Sequence, residues 1–435
     1  MTTGKALFKG GVRPPGNMQL SLSRPIANAA VPALAVIPML QHAGTPAECI
    51  VRPGELVREG MLIGKAAGAA SANVHASIPG RVVDIVDLQA PPGIRSRAVR
   101  IELGGEFDKS GRSQGMREWE SLSPADLLER VRSAGVVELG GSNEPAPLRL
   151  AVGPGRRIGL LVANGVGCEP SLTADRSLMR EKPREIAEGM RICRQLLDAR
   201  RVVLAFGDDA EELVPEFERI FSGLSARFEV AVLPCVYPQA HAQLLVESLR
   251  GTSPGADSVV LDVATLYAVY EAVVLDKPLI ERIVTITGSV VTRSRDLKVR
   301  IGTPVADLFE ECGGLSAAPG KVVLGGPMRG VASDSLDVPV TKGVGGIVAF
   351  SIAEARALRE LPCIRCGKCA EACPWGLVPT RLYKLVDSGQ SAAARAEGLD
   401  LCTECGCCAY ACPSRIPLVS VLIRGKAEAR GGVDG

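Results

Sequence analysis

The chain has 435 residues, enough for two to four domains that each bury a core of their own. Charged residues are 23% and nearly balance, with a formal net charge of +2, so no global field points to nucleic acid. Aromatics at 3% argue against base-stacking platforms. The 14 cysteines, with no signal peptide apparent, indicate a reducing cytosol rather than a disulfide framework.

In chain order the first block, 1–107, reads as all-β. Short apolar pieces (Glu48–Val51, Arg81–Val86, Ala98–Leu103) alternate with turns such as Arg52-Pro53-Gly54 and Ile78-Pro79-Gly80. The cadence is that of a barrel-sandwich, lipoyl-like domain. The swinging-arm use of that fold needs a lysine at a hairpin tip, and His75 lies in that region instead, where a structural role is expected. With no catalytic residues of its own, the block is expected to dock, and deleting it should release the protein from its complex with other sites intact. The most apolar stretch, Ala29 to Leu40, carries Pro32 and Pro38 and is too short to span a bilayer.

A polar linker, Asp108 to Glu120, precedes a capped helix opening at Ser121. From there, 121–270 alternates strand and helix: strand Ile158–Ala163, helix Pro183–Ala199, strand Arg201–Phe206, helix Glu211–Phe221, strand Phe228–Leu233. That predicts a doubly wound parallel sheet, which binds ligands at the carboxyl ends of its strands. Loops Asn164–Pro170 and Tyr237–His241 leave those ends. Asn164 and Glu169 are candidate site remnants or simple turn residues, and His241 has no partner visible in the sequence. The block 278–350 carries strands at Ile283–Gly288, Leu297–Gly302 and Lys321–Gly326 with a helix at Val305–Cys312, a β-grasp pattern.

The last block, 354–430, is expected to be helical and contains the most specific signal. Cys363, Cys366, Cys369 and Cys373-Pro374 form a C-x2-C-x2-C-x3-C-P run, and Cys402, Cys405, Cys408 and Cys412-Pro413 repeat it. This is the bacterial ligand run for a cubane [4Fe–4S] cluster, in which the fourth cysteine serves the other cluster. The expected sets are Cys363, Cys366, Cys369 and Cys412 on one cluster, and Cys402, Cys405, Cys408 and Cys373 on the second. Helical stretches Arg381–Asp387 and Ala392–Glu397 between the runs suit an α-helical ferredoxin. Cys49, Cys168, Cys193, Cys235 and Cys312 read as small buried hydrophobes, and Cys407 as a neighbour of the second run rather than a ligand.

With these residues in place, the chain resembles the RnfC family, the peripheral electron-input subunit of Rnf membrane complexes, from end to end. Phe8-Lys-Gly-Gly-Val12, Leu172-Thr-Ala-Asp175, Gly302-Thr-Pro304, Gly325-Gly-Pro-Met328 and both cysteine runs carry the likeness. The resemblance implies kinship with the flavoprotein subunit of respiratory complex I. It supplies the expected architecture: a barrel-sandwich domain, a flavoprotein-like parallel α/β domain, a β-grasp (SLBB-like) domain and a helical ferredoxin domain. The family cradles a flavin phosphate in a GxGGAGFPT loop, where this chain reads Glu138-Leu-Gly-Gly-Ser-Asn-Glu-Pro-Ala146. It also has Gly167 for a family glutamate, Ser171 for a tyrosine, and Gln239-Ala-His241 for Ser-Gly-Gly.

The expected function is therefore single-electron transfer through two [4Fe–4S] clusters between protein partners, with FMN disfavoured. Those partners are other subunits of a membrane-bound or soluble redox complex and a ferredoxin- or flavoprotein-type carrier. The expected location is the cytoplasm or the cytoplasmic face of the inner membrane. Two alternatives stay open. One is an active NADH/FMN-dependent subunit, told apart by flavin content. The other is a scaffold with structural clusters, told apart by whether the clusters cycle reversibly.

Overall fold

The computed structural model describes residues 2–3, 8–16, 18–90, 94–105, 107, 116–153, 157–224, 228–251, 255, 257–356 and 359–431. Most of the expected linker, residues 108–115, lies outside the described residues.

Residues 34–103 build the barrel sandwich. A four-stranded sheet runs in the order Leu34–Pro38, Ile94–Leu103, Gly80–Ala90, Leu56–Val57. A three-stranded sheet of Glu48–Cys49, Leu62–Lys65 and Val74–His75 faces it. Alternate residues Ala35 and Ile37, Ile63, Val74, Val82, Val99 and Ile101 point inward and are fully buried, the period-two pattern a half-buried strand requires. His75 is buried at 7% exposure, and burial, with the Lys342 charge adding, pushes its pKa down to about 3. It is a neutral core side chain.

The α/β domain has the strand order Phe228–Leu233, Arg201–Gly207, Leu160–Gly165, Ser258–Asp262, all parallel. Sequence order along the sheet therefore reverses between Leu160–Gly165 and Ser258–Asp262, and that crevice is the topological switch point. On one face, Leu161, Val202, Leu204 and Phe206 pack under helices Pro124–Ser133, Pro183–Leu197 and Val263–Val274. Ile186, Met190, Cys193 and Leu197 are the buried stripe of the middle helix, as their spacing predicts. The expected helix over Glu211–Phe221 is instead a 3-10 turn, Asp208–Leu213, followed by helix Val214–Ser222. Pro215, which lacks an N–H, is accommodated only in a first helical turn and so fixes where that helix begins. On the other face Leu160, Val162, Val203 and Ala205 pack against helix Ala242–Arg250 and against Ala372 and Cys407 of the C-terminal domain. Both faces are covered, which is why Leu160–Gly165 is buried throughout.

The β-grasp sheet has the order Val331–Ser333, Lys321–Leu324, Gly346–Phe350, Glu281–Thr287, Arg295–Arg300, Ala27–Asn28, with helix Val305–Glu311 over it. The first residues of the chain therefore do not belong to one module. Thr2–Thr3 adds a parallel edge strand to the α/β sheet, Val12 bridges Tyr237, and Ala27–Asn28 pairs with Leu297 and Lys298. Removing everything to Phe107 would strip strands from two other domains, so clean release of a docking block is not what the fold predicts. Lys342 sits where three domains meet. It is 1% exposed, and its ammonium donates to the carbonyls of Asn73 (2.7 Å) and Gly135 (2.8 Å).

The C-terminal domain is helical, with Lys368–Glu371, Pro379–Asp387, Ser391–Ala396, Cys407–Ala411 and Leu418–Gly431 around the two cysteine runs. Among the described residues no helix is long and apolar enough to cross a membrane.

Candidate redox centre

The two cysteine runs share one backbone conformation. Arg365 and Glu404, in the equivalent position between the first two cysteines, have φ of +55° and +59°. Gly367 and Gly406, after the second cysteine, have +80° and +84°, and each opens a short helix carrying the third cysteine. Gly376 and Arg415, after the Cys-Pro pairs, are at +67° and +55°. Left-handed residues at matching positions curl each loop around a point outside the backbone, the shape needed to present thiolates to the separate corners of a cubane.

The fourth cysteine of each run is folded toward the other run. Cys373 shares an apolar cluster with Cys402, and the charges of Cys402, Cys405 and Cys373 all act on Cys408. Cys412 packs with Cys369. Among the described residues no three His, Cys, Asp or Glu side chains converge as they would on a single ion, whereas a cubane is held at four spread corners. Cys407 points away from both runs. It is fully buried in the apolar cluster between domains, and its thiol donates to the Tyr237 carbonyl at 3.8 Å.

The runs differ in what covers them. Residues 361–368, including Cys363 and Cys366, are all exposed. Cys402 and Cys405 are only partly exposed, because the second run abuts the α/β domain: the Tyr237 hydroxyl donates to the Cys405 carbonyl at 2.6 Å. The Trp375 indole donates to Thr403 (2.7 Å), and its ring meets the His241 ring edge-on with centroids 5.0 Å apart. The N-terminal strap completes this contact. The Gly11 amide donates to the Ala372 carbonyl at 3.0 Å, and a Cβ on Gly10 would lie 2.9 Å from the Cys373 backbone.

The switch-point crevice opens toward this same second run. Asn164 and Asp262 end its two strands side by side, and the Asn164 amide donates to Asp262 (2.8 Å) and to the Ala240 carbonyl (3.1 Å). Glu138 fills the space over them. Its carboxylate accepts from the Gly140 amide (3.0 Å), the Ser142 amide (3.2 Å) and the Ser142 hydroxyl (3.1 Å). Gly140 lies so close to Asp262 that a Cβ there would overlap the carboxyl group. Burial and the Glu138 charge push the Asp262 pKa well up. For Glu138 burial acts the same way but is outweighed by hydrogen bonds from Asp262 and Gly140, leaving it below its ordinary value. Asp262 thus carries the proton and Glu138 the charge. Asp175, buried nearby, is pushed up to about 6 by burial.

Of the residues singled out in the sequence, Asn164 braces the strand ends. Glu169 accepts from the amides of Met328 (2.7 Å) and Arg329 (3.4 Å). His241 caps helix Ala242–Arg250 with Nδ1 lacking a partner, and burial lowers its pKa. Glu144 does not turn its charge on the loop interior but pairs with Arg149 at 3.0 Å. Glu138 and Asp262 were not anticipated. The signal for Glu138 was its place at the first glycine of the family loop.

A parallel α/β domain, a β-grasp domain and a helical dicluster domain in one chain define the class by fold, an iron–sulfur protein of the complex-I-flavoprotein type. Residues 6–106 match the RnfC barrel sandwich hybrid domain, 131–271 the Nuo51 FMN-binding domain, 283–332 the SLBB domain and 361–416 the 4Fe-4S dicluster domain. The RnfC subunit of the ion-translocating oxidoreductase complex of Rhodobacter capsulatus is 37% identical, over 95% of this chain and 81% of that one. The corresponding subunit of the proton-translocating ferredoxin:NAD(+) oxidoreductase complex of Clostridium ljungdahlii is 34% identical over 86% and 83%. That of the Na(+)-translocating complex of Acetobacterium woodii is 31% identical over 88% of each. Among solved structures, a chain of an NAD+-reducing [NiFe]-hydrogenase superposes with a TM-score of 0.51 at 18% identity, covering 70% of this chain and 63% of that one, a likeness of fold. The chain belongs to the RnfC family of ion-translocating oxidoreductase complexes.

Proposed function

We propose that this chain is the cluster-bearing relay of an Rnf-type complex, passing single electrons between protein partners through two [4Fe–4S] groups without a flavin of its own. The supporting observation is the Glu138 carboxylate in the switch-point crevice. In the family a flavin phosphate rests on the amides of this loop. Here the Gly140 and Ser142 amides already serve a buried anion of the chain. A phosphate would have to displace that carboxylate or share the crevice with it and with Asp262, and like charges at close range in a partly desolvated site repel strongly. The residues present do not fit the phosphate.

They do fit the clusters. Cys363, Cys366, Cys369 and Cys412 would hold one, and Cys402, Cys405, Cys408 and Cys373 the other, supported by the matched left-handed loops and by the grouping of Cys373 with the second run. When bound, cubane clusters accept and release one electron at a time. The chain's own residues position them. Tyr237, Trp375 and the Gly10–Gly11 strap hold the second run against the α/β domain and away from water, while the first run stays open to the surface.

The reading of an active NADH-linked flavoprotein is favoured by one observation. Arg329 extends over the same loop, with its guanidinium 3.5 Å from the Gly140 carbonyl, a charge that suits an anion. One cofactor inventory separates the two. Anaerobically purified protein should carry about eight irons per chain, release no FMN, and keep its cluster absorbance unchanged with NADH. Stoichiometric flavin with rapid bleaching would overturn the relay reading.

A further inference from the structure

The two runs have the same backbone and opposite surroundings, and nothing in the fold requires the first to be bare. Residues 361–368 form an exposed ridge carrying Cys363 and Cys366. Leu361 and Ile364 on that ridge are 50% and 67% exposed. The ridge is braced from behind, the Leu361 amide donating to the Ser414 carbonyl at 2.9 Å, so Arg415 stands beside it. Arg359, Arg365, Lys368 and Arg415 are exposed and form no ion pair among the described residues. On the helical side of the same domain the opposite holds: Arg381 pairs with Glu397, Arg395 with Asp400, Arg424 with Asp387 and Lys426 with Glu404. The acidic side chains of the ridge region are Glu360 and Glu371, which the basic ones outnumber.

We propose that this ridge is the docking face for an acidic one-electron carrier protein, an iron–sulfur protein whose own centre lies near its surface. The inference rests on the relay reading. Three features coincide at one place. Unpaired positive charges steer an acidic partner and set its orientation. Exposed Leu361 and Ile364 supply a small apolar centre that excludes water once contact is made. The thiolates of Cys363 and Cys366 lie within the ridge itself, so contact here brings two redox centres as near as the fold allows. The transfer such contact serves moves one electron and no atoms. The chain's near-neutral total charge does not oppose this, because screening confines the effect to charges within about 10 Å of the contact. The second run offers none of these features, being turned toward Tyr237 and the switch-point crevice. The chain thus has an outward cluster site and an inward one.

Binding tests this without reference to turnover. The full chain, its iron content verified, would be titrated calorimetrically with an oxidised acidic dicluster ferredoxin as probe. The complex would then be mapped by hydrogen exchange. The expected results are a dissociation constant that weakens ~tenfold or more between low and moderate salt, and new protection confined to residues 359–368 and the neighbouring Arg415 loop. The double variant Arg359→Glu/Lys368→Glu should weaken low-salt binding by ~tenfold or more and lose most of the salt dependence. Ile364→Ser should weaken binding with the salt dependence kept. Lys384→Glu, an exposed lysine on helix Pro379–Asp387, should bind as the parent does. No binding of the probe, equal losses in the double variant and Lys384→Glu, or protection on the barrel sandwich instead would overturn the proposal. A chain with about eight irons and no flavin that fails this test refutes the docking face alone. Flavin with NADH-driven bleaching refutes the relay reading whatever the probe does.

Discussion

Glu138 stands at a position where its neighbours need a small residue or an internal anion. The loop amides of Gly140 and Ser142 converge on one point, and buried N–H groups without an acceptor each cost about 1–3 kcal/mol. In a chain that does not bind phosphate the loop must satisfy them itself, and Glu138 does so, with Asp262 holding the proton that keeps the pair at a single negative charge. Replacing it should reopen the crevice. Glu138→Gly is expected to raise the affinity for FMN by at least ~tenfold over the parent, worth about 1.4 kcal/mol, and to lower thermal stability, both measurable by calorimetry. Unchanged affinity would mean that other residues close the loop. Asn143 is one such residue, held at φ +52° with its side-chain carbonyl buried and unpartnered. The sequence showed that glycines were missing here. It did not show that one replacement had taken over the work of the ligand, because that depends on the carboxylate turning back onto its own loop.

At the scale of elements, the cysteine runs were legible because their spacing is dictated by the cluster rather than by the fold. The strands and helices of the α/β domain were legible for a related reason. Continuous apolar runs such as Leu160–Gly165 and the stripe Ile186, Met190, Cys193, Leu197 have no other stable arrangement. The environments of the two runs could not be read, since they depend on which domain each packs against. Crossed ligation belongs to this scale. Cys373 follows the first run yet lies with Cys402, Cys405 and Cys408. Cys373→Ala should therefore disturb the inward cluster, and iron should fall toward about four per chain while the signals of the outward cluster persist. Loss of the outward cluster alone, followed by paramagnetic resonance of the reduced protein, would refute the crossed assignment.

Across the whole molecule, the order of domains along the chain is not the order of contacts. The first 28 residues look like part of the barrel sandwich in sequence, yet they supply strands to the α/β and β-grasp sheets and a strap to the cluster domain. Such short pieces of strand carry no periodic signal, which is why the sequence could not assign them. What remains visible is Gly10-Gly11. Both have φ near +80° (+82° and +83°), and side chains there would meet the Cys373 backbone and Val236. Two adjacent left-handed residues in close contact require glycine. The strap thus couples the start of the chain to the inward cluster, and removing it tests that coupling better than removing the barrel sandwich. Deleting residues 1–12 should leave residues 34–103 folded, since their core is their own. The same deletion should uncover the Cys373 loop, and the inward cluster should then be lost faster in air than the outward one. Iron content and paramagnetic resonance followed over hours of exposure would show it. Equal decay of both clusters, or faster loss of the outward one, would mean the strap protects neither.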